Sequence, residues 1–128
     1  TANIVEFDGK LMHQRAHDGY DPDACARLFT AFPRPPGPET GPDSVILSGT
    51  VLHRPDADPG IFAPGRALGL RATLGMPLLR EGQVIGVLML GRFVAGPFGQ
   101  SAIELVQAFA EQAVIALSRV SATSRKPS

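Results

Sequence analysis

Residues 75–90 read GMPLLREGQVIGVLML. Two apolar runs flank the break Arg80-Glu81-Gly82, and within each run the hydrophobicity is continuous rather than alternating. A strand that is apolar at every position is covered on both faces. The stretch therefore predicts two central strands, 72–80 and 83–91, with Glu81-Gly82 as the turn between them.

Around this hairpin lies a chain of 128 residues, the length of one domain with a sizeable core. Hydrophobic residues make up 44% and charged residues 19%, a globular rather than a disordered composition. Lys+Arg and Asp+Glu number 12 each and form no block of like charge, which speaks against a nucleic-acid partner. The apolar runs fall well short of the ~20 residues of a membrane span. A single cysteine, Cys25, allows no internal disulfide, and a cytoplasmic setting is expected. The abrupt start, without an initiator Met or signal peptide, reads as a module of a longer protein. Residues 1–120 form the expected domain and 121–128 a flexible tail.

Upstream, ANIVEFDGKLMHQRA predicts a first hairpin, strands 2–7 and 10–16, around a two-residue turn at Asp8-Gly9. GYDPDACARLFTAF predicts a helix capped by Asp21, with Pro22 in its first turn and Ala24, Leu28, Phe29 and Phe32 inward. The proline-rich PRPPGPETGP must be a loop, since proline donates no backbone hydrogen bond. DSVILS predicts a short helix capped by Asp43 or Ser44, and GTVLHR a short strand. Residues 55–69 form a long loop with a helical turn at 64–68. The last helix follows Pro97-Phe98, with Ser101 and Glu104 at capping-box spacing. Its apolar side comprises Ala102, Ile103, Leu105, Val106, Phe109, Ala110, Ala113, Ala116, Leu117 and Val120. Ile115 projects from the opposite, polar side.

The order of these elements, and the motifs within residues 71–117, resemble a GAF domain. Pro77-Leu78, the turn Glu81-Gly82, Gly86-Val87-Leu88, the helix-opening Pro97-Phe98 and the run Phe109-Ala110-Glu111-Gln112-Ala113 follow the family's order. RAHDGY, PRPPG and VLHRPDA are similar to segments of GAF modules in bacterial sensor kinases and nucleotide cyclases. Asp43-Ser44 stands where those relatives often have Gly-Arg, and the helix that usually precedes the first strand has no counterpart here. The resemblance implies an α+β fold. A central antiparallel sheet, order 2-1-5-4-3, carries terminal helices on one face. Short helices and loops cover a small-molecule pocket on the other. It also implies a regulatory module rather than an enzyme, although fold alone does not choose a role.

Specific chemistries fare poorly against the residues. The Asn-Lys…Phe-x-x-x-Asp-Glu signature of cyclic-nucleotide-binding relatives is absent, since Ala102-Ile103 follow Phe98. Cys25 is followed by Ala26, not by the histidine of bilin-binding relatives, and reads as a small buried hydrophobe. His13 and His17 are four apart, a ligand spacing on a helix but not on a strand, so no haem or metal is expected. Methionine-sulfoxide reduction, the enzymatic precedent in this fold, uses several cysteines, and one leaves no resolving partner. There remains an apolar pocket for an unidentified small molecule. Arg54, Arg66 and Arg71 flank its loops and could pair with an anion, beside His53, Phe62, Met76 and Met89. The alternative is a dimerisation scaffold with a filled pocket. Ser101, Ala108, Ile115 and Ala122 recur every seven residues, which predicts a parallel homodimer of the intact protein with Ala108, Ile115 and Ala122 along the seam.

Overall fold

The computed structural model describes residues 1–19, 22–23, 26, 32–37, 41–54 and 70–124, with side chains as far as Ser118. The strands are β1 (Ala2–Phe7), β2 (Met12–Asp18), β3 (Leu52–Arg54), β4 (Ala72–Arg80) and β5 (Gln83–Arg92). The helices are α1 (Gly41–Ser48) and α2 (Gln100–Ser124). One antiparallel sheet in the order β2-β1-β5-β4-β3 joins the strands, the order and α+β class expected.

The β4–β5 hairpin is central, as its continuous hydrophobicity requires. Ala72, Leu74, Met76 and Leu78 face α2, where they meet Phe98, Val106, Ala110 and Leu117. Val87 and Met89 face the other way, joining Val5 and Met12 beneath Val45 and Ile46 of α1. Glu81 and Gly82 both take positive φ, 52° and 79°, as the two-residue turn of a twisted hairpin demands. At Gly86 a Cβ would collide with the Val5 carbonyl oxygen, so β1 closes on β5 where only glycine fits.

The first hairpin departs from expectation. Phe7 pairs with Met12, so four residues connect the strands, and β2 runs to Asp18 rather than Ala16. The reason is the Asp8 side chain: its Oδ1 accepts the amides of Lys10 at 2.9 Å and Leu11 at 2.7 Å. A carboxylate that caps its own loop outcompetes the tight turn. The short helix begins at Gly41, two residues before its expected cap, because Asp43 is turned inward and fully buried. The last helix begins at Gln100. Gly99 supplies the first accepting carbonyl, to Ile103 N at 3.0 Å, and Glu104 instead accepts from the Gln100 side chain at 3.4 Å. β3 is shorter than expected, residues 52–54, and β5 one residue longer. The helix over residues 21–32 and the turn at 64–68 fall largely or wholly outside the described residues.

One correction concerns the apolar side of α2. Ile103, Val106, Ala110 and Leu117 are buried or half-buried, whereas Leu105 is 58% and Phe109 54% exposed. The helix rests mainly on β4, and a single strand covers only part of so broad an apolar arc.

Candidate functional site

Strand alternation sorts the expected pocket residues onto two faces. Arg54 pairs with Thr73 across β3 and β4, Gly75 with Met89, and Thr73 with Gly91, and directly opposed residues share a face. Arg54 and Met89 therefore lie on the face covered by α1. His53 pairs with Leu74 and Met76 with Leu88, which puts both on the α2 face. One pocket cannot be lined by all four. Arg71 precedes β4, exposed, its amide bonded to the Arg92 carbonyl at 2.7 Å. Phe62 and Arg66 lie outside the described residues, as does the rest of the long loop 55–69.

The α1 face is the more polar of the two. Asn3, Thr73 and Asp43 are buried there among Val5, Val45 and Met89. Arg54 is half-buried, and its Nε is enclosed without a hydrogen-bond partner among the described residues. Buried polar atoms are nearly always paired, so such an atom asks for an explanation. On the same row, beyond Thr73 and Gly91, the Thr1 hydroxyl is also buried without a partner.

Asp43 fixes the wall of this face. Arg34 forks onto it, Nη1 to Oδ2 at 2.6 Å and Nη2 to Oδ1 at 3.0 Å, and the Gly37 amide reaches Oδ2 at 2.6 Å. Backbone bonds between Met12 and Arg34, 2.7 and 3.2 Å, tie the same segment to β2. Residues 34–37 are thus clamped between sheet and helix. The sequence carried one hint of it, an aspartate heading an otherwise apolar helix. Its partner lies across a loop and has no periodic signal.

On the α2 face, the amide of Phe98 donates to His53 Nε2 at 3.0 Å. The two rings meet edge to face, centroids 5.7 Å apart. Arg92 lies over the Phe98 ring, 4.2 Å from its centroid, and donates to the Gly96 and Pro97 carbonyls. The segment leading into α2 is thereby held by β3 and β5. His53 was expected in the pocket; its role here has no local sequence signal, because its partner Phe98 lies 45 residues away.

At the hairpin end of the sheet a cavity of about 400 Å³ lies among Glu6, Asp8, Arg80, Gln83, Leu117 and Ser118. Glu6 is engaged by Arg15 Nε at 2.6 Å. The Leu11 amide, then His13 and the Lys10 amide, hold the Asp8 carboxyl well below the usual carboxylate range. Among the described residues no His, Cys, Asp and Glu cluster could hold a metal ion, and no helix is long and apolar enough to cross a membrane. Ala108 and Ile115 are both exposed, Ile115 by 54%.

Comparison with known proteins adds the following. The family described as "GAF domain" matches residues 4–117. No curated protein matches the chain significantly. The GAF domain of an Acinetobacter phosphoenolpyruvate-protein phosphotransferase superposes with a TM-score of 0.74 at 15% identity, covering 96% of this chain and 73% of that one. A domain assigned to a two-component sensor histidine kinase of Sinorhizobium meliloti gives 0.72 at 19% identity, covering 99% and 84%. A type II free methionine-R-sulfoxide reductase from Thermoplasma acidophilum gives 0.70 at 12% identity, covering 88% and 74%. At these identities the likeness shows a shared fold.

Proposed function

Because the chain belongs to the GAF domain family, we propose that it is a small-ligand-sensing regulatory module of a cytoplasmic signal-transduction protein, of the sensor histidine kinase or nucleotide cyclase class. The observation that carries this reading is Arg54, whose buried Nε has no hydrogen-bond partner on the polar face of the sheet. A scaffold with a filled interior has no use for such a group, whereas a ligand can complete it. The likeness to a domain assigned to a sensor histidine kinase supports the pathway. The chemistry of the reductase that shares the fold needs a resolving thiol, and Cys25 is the only cysteine in this sequence. Ligand binding then acts by shifting a pre-existing equilibrium of α2 relative to an output domain. Thermal-shift screening of the protein against cyclic nucleotides, small acids and aromatic metabolites tests the reading. A rise in melting temperature with one class supports it, and no rise with any class overturns it in favour of a scaffold.

A second reading, homodimerisation of the intact protein through α2, is favoured by the exposure of Ile115 beside Ala108. Ala122 continues the same strip. Burying Ile115 contributes roughly 1–2 kcal/mol per side, too little alone to hold two domains together. Ile115→Glu in the full-length protein, followed by sedimentation, should weaken the dimer. The Leu105–Phe109 flank is centred about 100° around the helix from Ile115. A dimer that survives Ile115→Glu but yields to Phe109→Glu would place the seam on that flank.

A further inference from the structure

β3 is only three residues long, yet its neighbouring side chains serve opposite faces of the sheet. Arg54 points to the α1 face, opposite the buried Thr73, with its Nε enclosed and unpaired. His53 points to the α2 face and accepts the hydrogen bond from the Phe98 amide, two residues before α2 begins. We propose that β3 is a two-sided sensing strand: a small carboxylate-like anion binds Arg54 on one face, and His53 reports its presence to the start of α2 on the other.

The class of ligand follows from the chemistry of the α1 face. A guanidinium offers Nε and one Nη as parallel donors, spaced for the two oxygens of a carboxylate or similar anion. Arg34, also on this face, is already occupied by Asp43 through both terminal nitrogens. Arg54 has no such carboxylate among the described residues. Thr73 stands directly across the ladder from it, 2% exposed, and brings a hydroxyl to the same row. Farther along that row the Thr1 hydroxyl is a second buried group in want of a partner.

Transmission follows from the shortness of the strand. Arg54 and His53 are consecutive, so a displacement of the backbone that seats Arg54 on an anion moves the His53 ring as well. β3 is a three-residue edge strand that pairs with β4 alone, so little backbone pairing opposes its shift. The His53 ring touches the segment leading into α2 by a hydrogen bond and by its edge-to-face contact with Phe98. His53 is thus a positioning residue. It binds nothing itself and sets how firmly the first turn of α2 is held.

The proposal rests on the sensing reading above, and its test separates the two. The protein is titrated with sodium acetate, phosphate and nitrate against chloride at matched ionic strength. Melting temperature and hydrogen exchange at the Phe98 amide are followed. In the wild type, one of these anions should raise the melting temperature and change the Phe98 exchange rate. Arg54→Gln should abolish both responses. His53→Ala, a change at an exposed position, should leave the melting response intact but abolish the exchange response. It should also speed basal Phe98 exchange by roughly 3–10-fold, the worth of one hydrogen bond. His53→Gln, which keeps an acceptor, should restore part of the protection. An anion response that survives Arg54→Gln overturns the anion site. An exchange response that survives His53→Ala overturns the transmission. A neutral metabolite that stabilises wild type and Arg54→Gln equally leaves sensing standing and overturns the anion assignment alone.

Discussion

On the face of the sheet under α2, Leu74, Met76 and Leu78 pack on Val106, Ala110 and Leu117, and the polar groups of this face, Glu6, His53 and Arg92, lie outside that apolar contact. On the face under α1, Val87 and Met89 share the interior with Asn3, Thr73 and the buried Asp43, and glycines floor the sheet at 75 and 91. The strands are the same, yet one face is sealed by a long helix and the other by a short helix and a clamp of charged and backbone groups. Apolar packing is additive and tolerant of detail, so the α2 face is suited to carrying stability. Polar groups are worth something only when each is matched, so the α1 face, where the Arg54 Nε is unmatched among the described residues, depends on single groups rather than on summed area.

The sharpest way to break this contrast is to empty the α2 face. Leu74 is fully buried at its centre, and Leu74→Ala removes apolar atoms and leaves a cavity that a three-layer contact cannot close. The expected loss is about 3–5 kcal/mol, measured as a shift in the urea midpoint. A loss near that of a surface change would mean that α2 lies loosely on β4, and the division of labour between the faces would fall.

This face was also the one most legible beforehand. Continuous hydrophobicity in residues 72–91 and the helical spacing of Val106, Ala110 and Leu117 are repeated signals, and repetition averages out local exceptions. The α1 face was less legible because its determinants are single residues. Asp43 was expected as a helix cap because aspartate commonly caps, and only its partner nine residues away turns it inward. His53 and Arg54 were placed in one pocket although the expected strand 49–54 already put such consecutive residues on opposite faces. Asp8 overrode its neighbour Gly9 by the same one-residue chemistry. The GAF motifs identified the fold, but they fall on the β4–β5 hairpin, its turn and the start and middle of α2, not on Asp43, His53 or Arg54.

The next largest effect is expected at the clamp. Asp43→Asn keeps the volume and one acceptor but leaves Arg34 without its carboxylate in a buried setting. The destabilisation should be about 2–3 kcal/mol. Exchange protection should be lost first at the Gly37, Arg34 and Met12 amides rather than across the β4–β5 ladder. Equal loss everywhere would show that the clamp supports the whole fold and not the α1 face in particular.

Gly75→Ala probes the same face by addition. Its Cβ would lie 2.8 Å from Val45 Cγ2 and 2.9 Å from Met89 Sδ. The methionine can swing aside, but Val45 is fixed on α1, so the helix itself must give. A cost of about 1–2 kcal/mol is expected, with a lower melting temperature. An unchanged melting temperature would mean that α1 floats on the sheet with room to spare. That would make this face softer than the contrast drawn here.

The smallest effect belongs to neither face. Asp8, in the β1–β2 loop, has its carboxyl held below the usual range by the Leu11 amide, by His13 at 2.8 Å and by the Lys10 amide. The folded value therefore lies below that of the unfolded chain, about 3.9. A depressed carboxylate contributes stability that is fully present above the unfolded value and is lost as pH falls through the folded one. The side chain is 45% exposed, so solvent screens these interactions and the contribution is small. Comparing wild type with Asp8→Asn from neutral pH downwards should show a modest, constant gap in melting temperature at neutral pH. That gap should close only below about pH 4, where the unfolded carboxyl takes up its proton. Added salt should narrow it at every pH. A gap that persists undiminished into acid would mean that the loop is held by the shape of the side chain alone. The hairpin would then be a matter of turn chemistry, with no electrostatic part to set beside the Asp43 clamp.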